Sequence, residues 1–97
     1  MSVVKINADD VRQELVDLPS IATITTVDVD ITGLTGVQVG ELYLVAFDLG
    51  ASGLDNGLGY SATAWGTAPG QLTVRFVNPT AGAIDPAAGV EMTYIQL

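Results

Sequence analysis

The sequence predicts an all-β protein, an antiparallel β-sandwich of jelly-roll-like form with a short N-terminal arm or helix. Apolar and polar residues alternate with a period of two in several segments after Pro19. Segments rich in Gly, Pro and Asn separate them at near-regular spacing, as in sandwiches. The stretches between these segments show no helical pattern, so there is no room for the crossover helices that link parallel strands. We therefore assign residues 1–18 to the arm or helix and residues 19–97 to the sandwich domain.

Five segments carry the strand pattern: 22–31, 41–47, 58–65, 71–78 and 90–97. In the first, Val27, Val29 and Ile31 share one side, and Asp28 and Asp30 share the other. Ile24 falls out of phase with them, which predicts a β-bulge near Thr25–Thr26. In 71–78 and 90–97 the apolar residues again fall on one side, so that side is predicted to face the core. Asn56-Gly57, in the loop 48–59, predicts a tight turn with positive φ.

Residues 7–18 are the only stretch with a helical pattern. Asn7 can cap a helix, and Val11, Leu15 and Leu18 recur at i, i+4 and i+7 before Pro19 ends the segment. The alternative is an extended arm, because an isolated helix of this length is marginal in water. We expect any helix in the protein to be confined to this segment.

Segment 41–47 is apolar on both faces, with Leu42 and Leu44 on one and Tyr43, Val45 and Phe47 on the other. A strand of this kind is predicted to be covered on both sides. One cover is the core of the domain and the other is a partner. We predict Tyr43, Val45 and Phe47 as interface residues, with Leu42 and Leu44 as the alternative.

The composition restricts the possible partners. The 97 residues have a net charge of −8, only 14% charged side chains and a mean hydropathy of +0.44. Lys and Arg supply the affinity for nucleic-acid backbones and for anionic membranes, so we expect no nucleic-acid and no membrane partner. The shortage of charge predicts that part of the apolar surface is buried against a protein.

The absence of His and Cys restricts the chemistry. It removes the commonest general base, the thiol nucleophile and the usual zinc ligands, so we predict that the protein is not an enzyme and has no cofactor or metal. Asp28 and Asp30 are better explained as a solvated strand face than as a catalytic pair. Asp48 and Asp55 share a Gly-rich loop that could attract calcium, but their spacing does not match the EF-hand pattern.

Three stretches together resemble the small capsid decoration, or cement, proteins of tailed bacteriophages. They are "DLPSIA" (17–22), "GVQVGELYLV" (36–45) and "GLGYSATAWGTAPGQLTVRFVNPTAGAIDPAAG" (57–89). The resemblance implies a β-sandwich that lies on the capsid surface of the virion, with the major capsid protein and copies of itself, as a homotrimer, as partners. It offers no catalytic residues to transfer.

The resemblance implies structural roles for its motif positions Gly40, Arg75, Asn78, Asp85 and Pro86. Of these, we add Arg75, Asp85 and Pro86 to the predicted interface. Arg75 could pair with Asp85 or with an acid of a neighbouring subunit. The loop containing Asp85 and Pro86 is rich in Ala and Gly, so it could pack closely against a partner. Alternatives that stay open are a tail, baseplate or head-fibre module, a carbohydrate-binding or calcium-dependent adhesion module, and a small lyase or glycosidase.

Overall fold

A computed structural model describes residues 11–97, which form one curled sheet of seven strands. The strands are β1 (Arg12–Val16), β2 (Thr25–Ile31), β3 (Leu42–Phe47), β4 (Gly59–Tyr60), β5 (Thr63–Ala68), β6 (Gln71–Asn78) and β7 (Val90–Gln96). Every pairing between them is antiparallel. The prediction of an all-β, antiparallel fold is confirmed, and the two-layer, jelly-roll form stays a prediction.

The strand order in the sheet is β1-β7-β3-β5-β6-β2. β4 also pairs with β6, and because β2 occupies one edge of β6 over its whole length, β4 and β5 follow one another along the other edge. The order places the first strand beside the last. It also places β3 between β7 and β5, so β3 is paired along both of its edges.

The core lies on the inner face of the curled sheet. Its largest fully buried side chains include Tyr43, Tyr94, Phe76, Leu72 and Met92. An aromatic cluster closes one part of it, with the ring centroid of Phe47 5.0 Å from that of Tyr60 and 5.5 Å from that of Phe76. The alternation predicted for 71–78 and 90–97 is confirmed, because the apolar side of each strand lies in this core.

The predicted helix over residues 7–18 is wrong for residues 12–16, which are strand β1. Residues 7–10 of that prediction lie outside the described part of the chain. β1 pairs with β7 from Arg12↔Tyr94 to Val16↔Val90. The edge of β7 offers backbone partners along the whole segment, and this pairing outweighs a short helical preference that is marginal alone. Residues 11–18 are therefore extended, and Val16 and Leu18 are buried in the core rather than lying in a separate arm.

The bulge predicted near Thr25–Thr26 is also wrong. Ile24 instead lies in a turn before β2, with a φ of 50° and 78% of its surface exposed. The irregularity in the ladder falls between Gly66 and Ala68 on β5. A Cβ atom at Gly66 would lie only 2.0 Å from the carbonyl oxygen of Gln38, so glycine is required where the loop before β3 crosses β5.

Helical structure was expected only in residues 7–18, but two short helical turns lie in the predicted loop 48–59. They are an α-helical turn at Leu49–Ser52 and a 3-10 turn at Leu54–Asn56. Gly57 follows them with a φ of 104°, as the Asn-Gly pair predicts. Across residues 11–97, no helix has the length and apolar character needed to cross a membrane.

Candidate interaction surface

The outer face of the sheet, opposite the core, carries an exposed apolar surface on β7, β3 and β5. We call its four members, Leu42, Leu44, Trp65 and Leu97, the apolar half-face. Their exposed fractions are 49%, 39%, 47% and 52%. These values are large for apolar side chains in the middle of a sheet, whereas Ile95 between them is only 8% exposed.

Strand register brings these side chains together. Leu42 lies opposite Trp65 on β5, and the amide of Leu97 donates to the carbonyl of Leu42 at 3.0 Å. Leu97, Leu42 and Trp65 therefore form one row across the three strands. In the next row, Leu44 lies opposite Ile95. Neighbours within such a row are about 5 Å apart, so the surface is continuous.

The other half of the outer face, on β6 and β2, is mainly polar, although Val77 is 41% exposed there. Arg75 Nε donates to Asp28 Oδ1 at 2.8 Å, and Arg75 Nη2 donates to Asp28 Oδ2 at 3.2 Å. Thr73 Oγ1 donates to Asp30 Oδ1 at 2.6 Å. The hydrogen bond from Arg75 lowers the pKa of the Asp28 carboxyl and raises the pKa of the Arg75 guanidinium. Both side chains are about half exposed, so solvent screens this pair and its contribution to stability is small.

The interface predicted at Tyr43, Val45 and Phe47 is wrong, because these side chains lie in the core of the single chain. Their exposed fractions are 2%, 3% and 8%. The hydroxyl of Tyr43 is also used within the chain, where it accepts a hydrogen bond from the amide of Gln38 at 2.8 Å. The other face of β3, which contains Leu42 and Leu44, is the exposed one.

The three residues added by the resemblance lie in different environments. Arg75 is exposed and pairs with Asp28, not with Asp85 as the sequence suggested. Asp85 is exposed, so its role in an interface stays a prediction. Pro86 is buried within the chain and presents no surface to a partner.

The loop 79–89 is fixed at its base by the buried side chain of Asn78. Its Nδ2 donates to the carbonyls of Ile21 and Gly82, each at 3.0 Å, and its Oδ1 accepts from the amide of Thr80 at 3.0 Å. Ile21 and Ile84 exchange two backbone hydrogen bonds of 2.8 and 2.9 Å. The exposed residues of the loop are mostly small ones: Ala81, Gly82, Ala83, Ala87 and Ala88. The result is a small-residue surface held on a fixed frame.

Sequence reasoning missed Trp65 and Leu97 as members of the exposed surface. Segment 58–65 alternates only weakly, so Trp65 could be placed either inside or outside. The register of β5 against β3 places Trp65 beside Leu42 on the outer face, and this register depends on residues distant in the chain. Local periodicity alone does not contain that information.

Among residues 11–97, no group of three or more His, Cys, Asp or Glu side chains could hold a metal ion. A cleft of about 430 Å³ at one end of the sheet is lined by residues that include Arg12, Tyr43 and Tyr94. The Tyr94 hydroxyl donates to the carbonyl of Thr35 at 2.7 Å, and burial raises its pKa, with a further contribution from Glu14. The apolar half-face remains the candidate site.

Comparison with known proteins gives no relative for this chain. No protein-family model, no curated protein and no solved structure matches it.

Proposed function

We propose that this chain is a structural protein that decorates the outer surface of a tailed-phage capsid and stabilises it. Its partners in this role are the major capsid protein and copies of itself. Two features support the proposal. The motifs between residues 17 and 97 occur in the same order as in the decoration proteins, and the apolar half-face is suited to association rather than to chemistry. The resemblance implies a homotrimer on the capsid, and the experiment below counts the copies.

The apolar half-face is the observation that carries the proposal. Exposed apolar patches on small proteins mark sites of protein association. Full burial of one large apolar side chain contributes about 1.5–3 kcal/mol to the free energy of association. Since the four side chains here are only about half exposed, each gains a fraction of that range on association.

The acidic balance favours the outside of a shell over the inside. A net charge of −8 repels packaged nucleic acid, whereas the outer surface meets solvent. The loop 79–89 suits contact with the shell, because its small exposed side chains allow close approach. Its hydrogen-bonded frame also reduces the entropy lost on docking.

Capsids that lack the protein provide the test. Purified chain is added to them, and both co-sedimentation and the temperature of genome release are measured. We expect saturable binding and a higher release temperature, with the bound copies counted against the major capsid protein. Leu42→Asp should weaken binding, whereas Leu49→Asp, at an exposed leucine outside the half-face, should not. Absence of binding to shells would overturn the proposal, and binding to tails would favour the tail or baseplate alternative.

One observation favours a carbohydrate-binding role as the second candidate. Trp65, the only tryptophan of the chain, is half exposed where the apolar and polar halves of the outer face meet. Its neighbour across the sheet is Thr73, which is bonded to Asp30. An aromatic ring beside hydroxyl and carboxylate groups can stack on a sugar and bond its hydroxyls. Titration of the protein with a panel of soluble glycans, followed by Trp65 fluorescence, tests this role. If no glycan changes the fluorescence, the carbohydrate-binding role is excluded.

A further inference from the structure

We propose that residues 1–6 lie across the apolar half-face of their own chain and cover it in the free protein. These residues, "MSVVKI", belong to the part of the chain outside the described residues. The inference rests on the proposed function in one respect, because it gives the same surface an occupant that the shell must displace. Cover of the half-face in the free protein is tested without the shell.

The segment joins the described chain beside the half-face. Continuing the register of β1 against β7 by one residue places Val11 opposite Ile95, which is in turn opposite Leu44 on β3. Val11 is 39% exposed, so it extends the apolar surface to the edge of the sheet. The residues before Val11 therefore start from this edge, at the end of β7 that leads to Leu97.

The length of the segment fits the distance that it must cross. The half-face extends from β7 to β5, and β1 lies one strand beyond β7. Trp65 on β5 is therefore roughly 14 Å from the line of β1, and six extended residues span about 20 Å. The four residues that join the segment to Val11 are "NADD" (7–10). Asn and Asp favour turns, and a turn here directs the chain onto the outer face.

The pattern of the segment suits one covered side and one open side. In an extended chain Val4 and Ile6 project to one side, and Val3 and Lys5 project to the other. Because Lys5 is charged, the second side faces solvent. Val4 and Ile6 are β-branched, which suits them to packing on a sheet. Ile6, which is nearer the turn, lies over β7, and Val4 lies over β3.

Charge favours this segment as the occupant. Nine acids and two arginines give residues 11–97 a net charge of −7, whereas residues 1–6 contain one lysine and no acid. The opposite charges attract the segment to the rest of the chain. The contact itself buries no charge, because the half-face, Val4 and Ile6 are all apolar. Asp9 and Asp10 fall in the turn, outside the contact.

The small area of the half-face suits an occupant that is already attached. Its four side chains lie in two rows on three strands, which cover roughly 14 by 14 Å. Stable complexes bury about 800 Å² on each partner, several times this area, so a free partner needs further contacts elsewhere. A segment of the same chain avoids most of the loss of translational freedom and has an effective concentration in the millimolar range. A small contact is therefore sufficient for residues 1–6.

Trp65 reports the cover directly, because it is the only tryptophan and belongs to the half-face. We expect Val4→Asp to increase quenching of its fluorescence by acrylamide about two-fold, because a carboxylate does not stay buried against apolar side chains. Val3→Asp is the matched control, with the same change one residue away on the open side, and should leave the quenching unchanged. Circular dichroism establishes that both variants are folded. Equal quenching of the native chain and both variants would overturn the inference.

Disulfide formation tests whether the segment covers its own chain. The native chain has no Cys, so Val4→Cys is combined with Leu42→Cys in one variant and with Leu49→Cys in another. Leu49 is an exposed leucine outside the half-face. Mild oxidation should close the first pair within one chain and leave the second pair open. A covalent dimer through the first pair would place the segment on a neighbouring copy, and that result, or a first pair that stays open, contradicts the inference.

The capsid-binding experiment separates this inference from the proposed function. If both hold, Val4→Asp binds shells more tightly than the native chain, since its half-face no longer has to be uncovered. If no variant binds shells while the quenching and the disulfide behave as expected, the proposed function fails and the cover stands. If the native chain and Val4→Asp bind shells equally and Trp65 quenching is unchanged, the cover fails and the proposed function stands.

Discussion

The two faces of β3 are both apolar, but one is buried and the other is exposed. Tyr43 and Val45 on the inner face are almost completely buried, whereas Leu42 and Leu44 on the outer face are about half exposed. Hydrophobicity does not distinguish the two sides, because both are apolar. What distinguishes them is curvature: the sheet closes around one face of β3 and leaves the other open. An apolar face predicts burial, but the neighbouring strands decide which of two apolar faces is buried within the chain.

Phe47→Asp breaks the inner face and should have the largest effect. It places an unpaired charge among the rings of Tyr60 and Phe76. The cost should reach or exceed the 3–5 kcal/mol typical of losing a buried Phe, against a total stability of about 5–15 kcal/mol. We expect loss of cooperative thermal unfolding and of the native near-ultraviolet spectrum. Leu44→Asp, on the outer face of the same strand, should remain folded. A folded Phe47→Asp variant would show that the two faces are assigned the wrong way round.

Gly66→Ala tests the inner side of β5, whose outer side carries Trp65. The added Cβ would collide with the carbonyl oxygen of Gln38, a backbone atom that cannot move without shifting the loop. We expect a loss of about 3 kcal/mol or more in the free energy of unfolding, measured with urea. Gly82→Ala is the control, because a Cβ there meets nothing within 4 Å. Equal stability of the two variants would contradict the close approach.

Asn78→Ala sharpens the contrast between buried and exposed polar groups. It removes the hydrogen bonds that hold the loop 79–89 and leaves the carbonyl of Ile21 without its side-chain partner. We expect a loss of about 2 kcal/mol and faster proteolysis within the loop. Asn56→Ala, at an exposed position, should change stability little. If limited proteolysis cuts both variants at the same rate, Asn78 is not what fixes the loop.

The smallest expected effect depends on pH and involves Tyr94 on the inner face. Burial raises the pKa of this hydroxyl, so the folded state favours its neutral form. The contribution to stability is fully present below the pKa of an unfolded tyrosine, about 10, and is lost as the pH rises from there through the folded pKa. Between pH 9 and 11 the melting temperature should fall more steeply for the native chain than for Tyr94→Phe. Parallel curves would contradict this assignment.

The sequence correctly predicted the buried side of those strands that have one apolar and one polar face. In 71–78 and 90–97 the apolar residues lie on one side, so alternation alone identified the core face. The helical pattern misled for residues 12–16, which form a strand. Leu15 fits a helical stripe with Val11 and Leu18, yet it is 73% exposed. That segment takes its structure from β7, far along the chain, and no local pattern contains this information.

The candidate site was less predictable than the fold. Segment 41–47 was predicted to be apolar on both faces, but the face proposed for the interface, Tyr43, Val45 and Phe47, is the one buried in the core. The large area and low flexibility of aromatic side chains suit them to interfaces. The same area and stiffness make them good core residues, and here Tyr43 and Phe47 are used in that way. Trp65 and Leu97 join the surface only through register, which the sequence does not display.

The pairing of β1 with β7 has a consequence for how the protein forms in the cell. Gln13 and Thr93, whose side chains bond across the two strands, are 80 positions apart in sequence. β7 separates β1 from β3, so β1 cannot pair, and β3 has only its β5 partner, until β7 has been synthesised. Chains dominated by such distant contacts fold slowly. While the nascent chain waits on the ribosome, both apolar faces of β3 are exposed, and that interval is when chaperones would matter most to this protein.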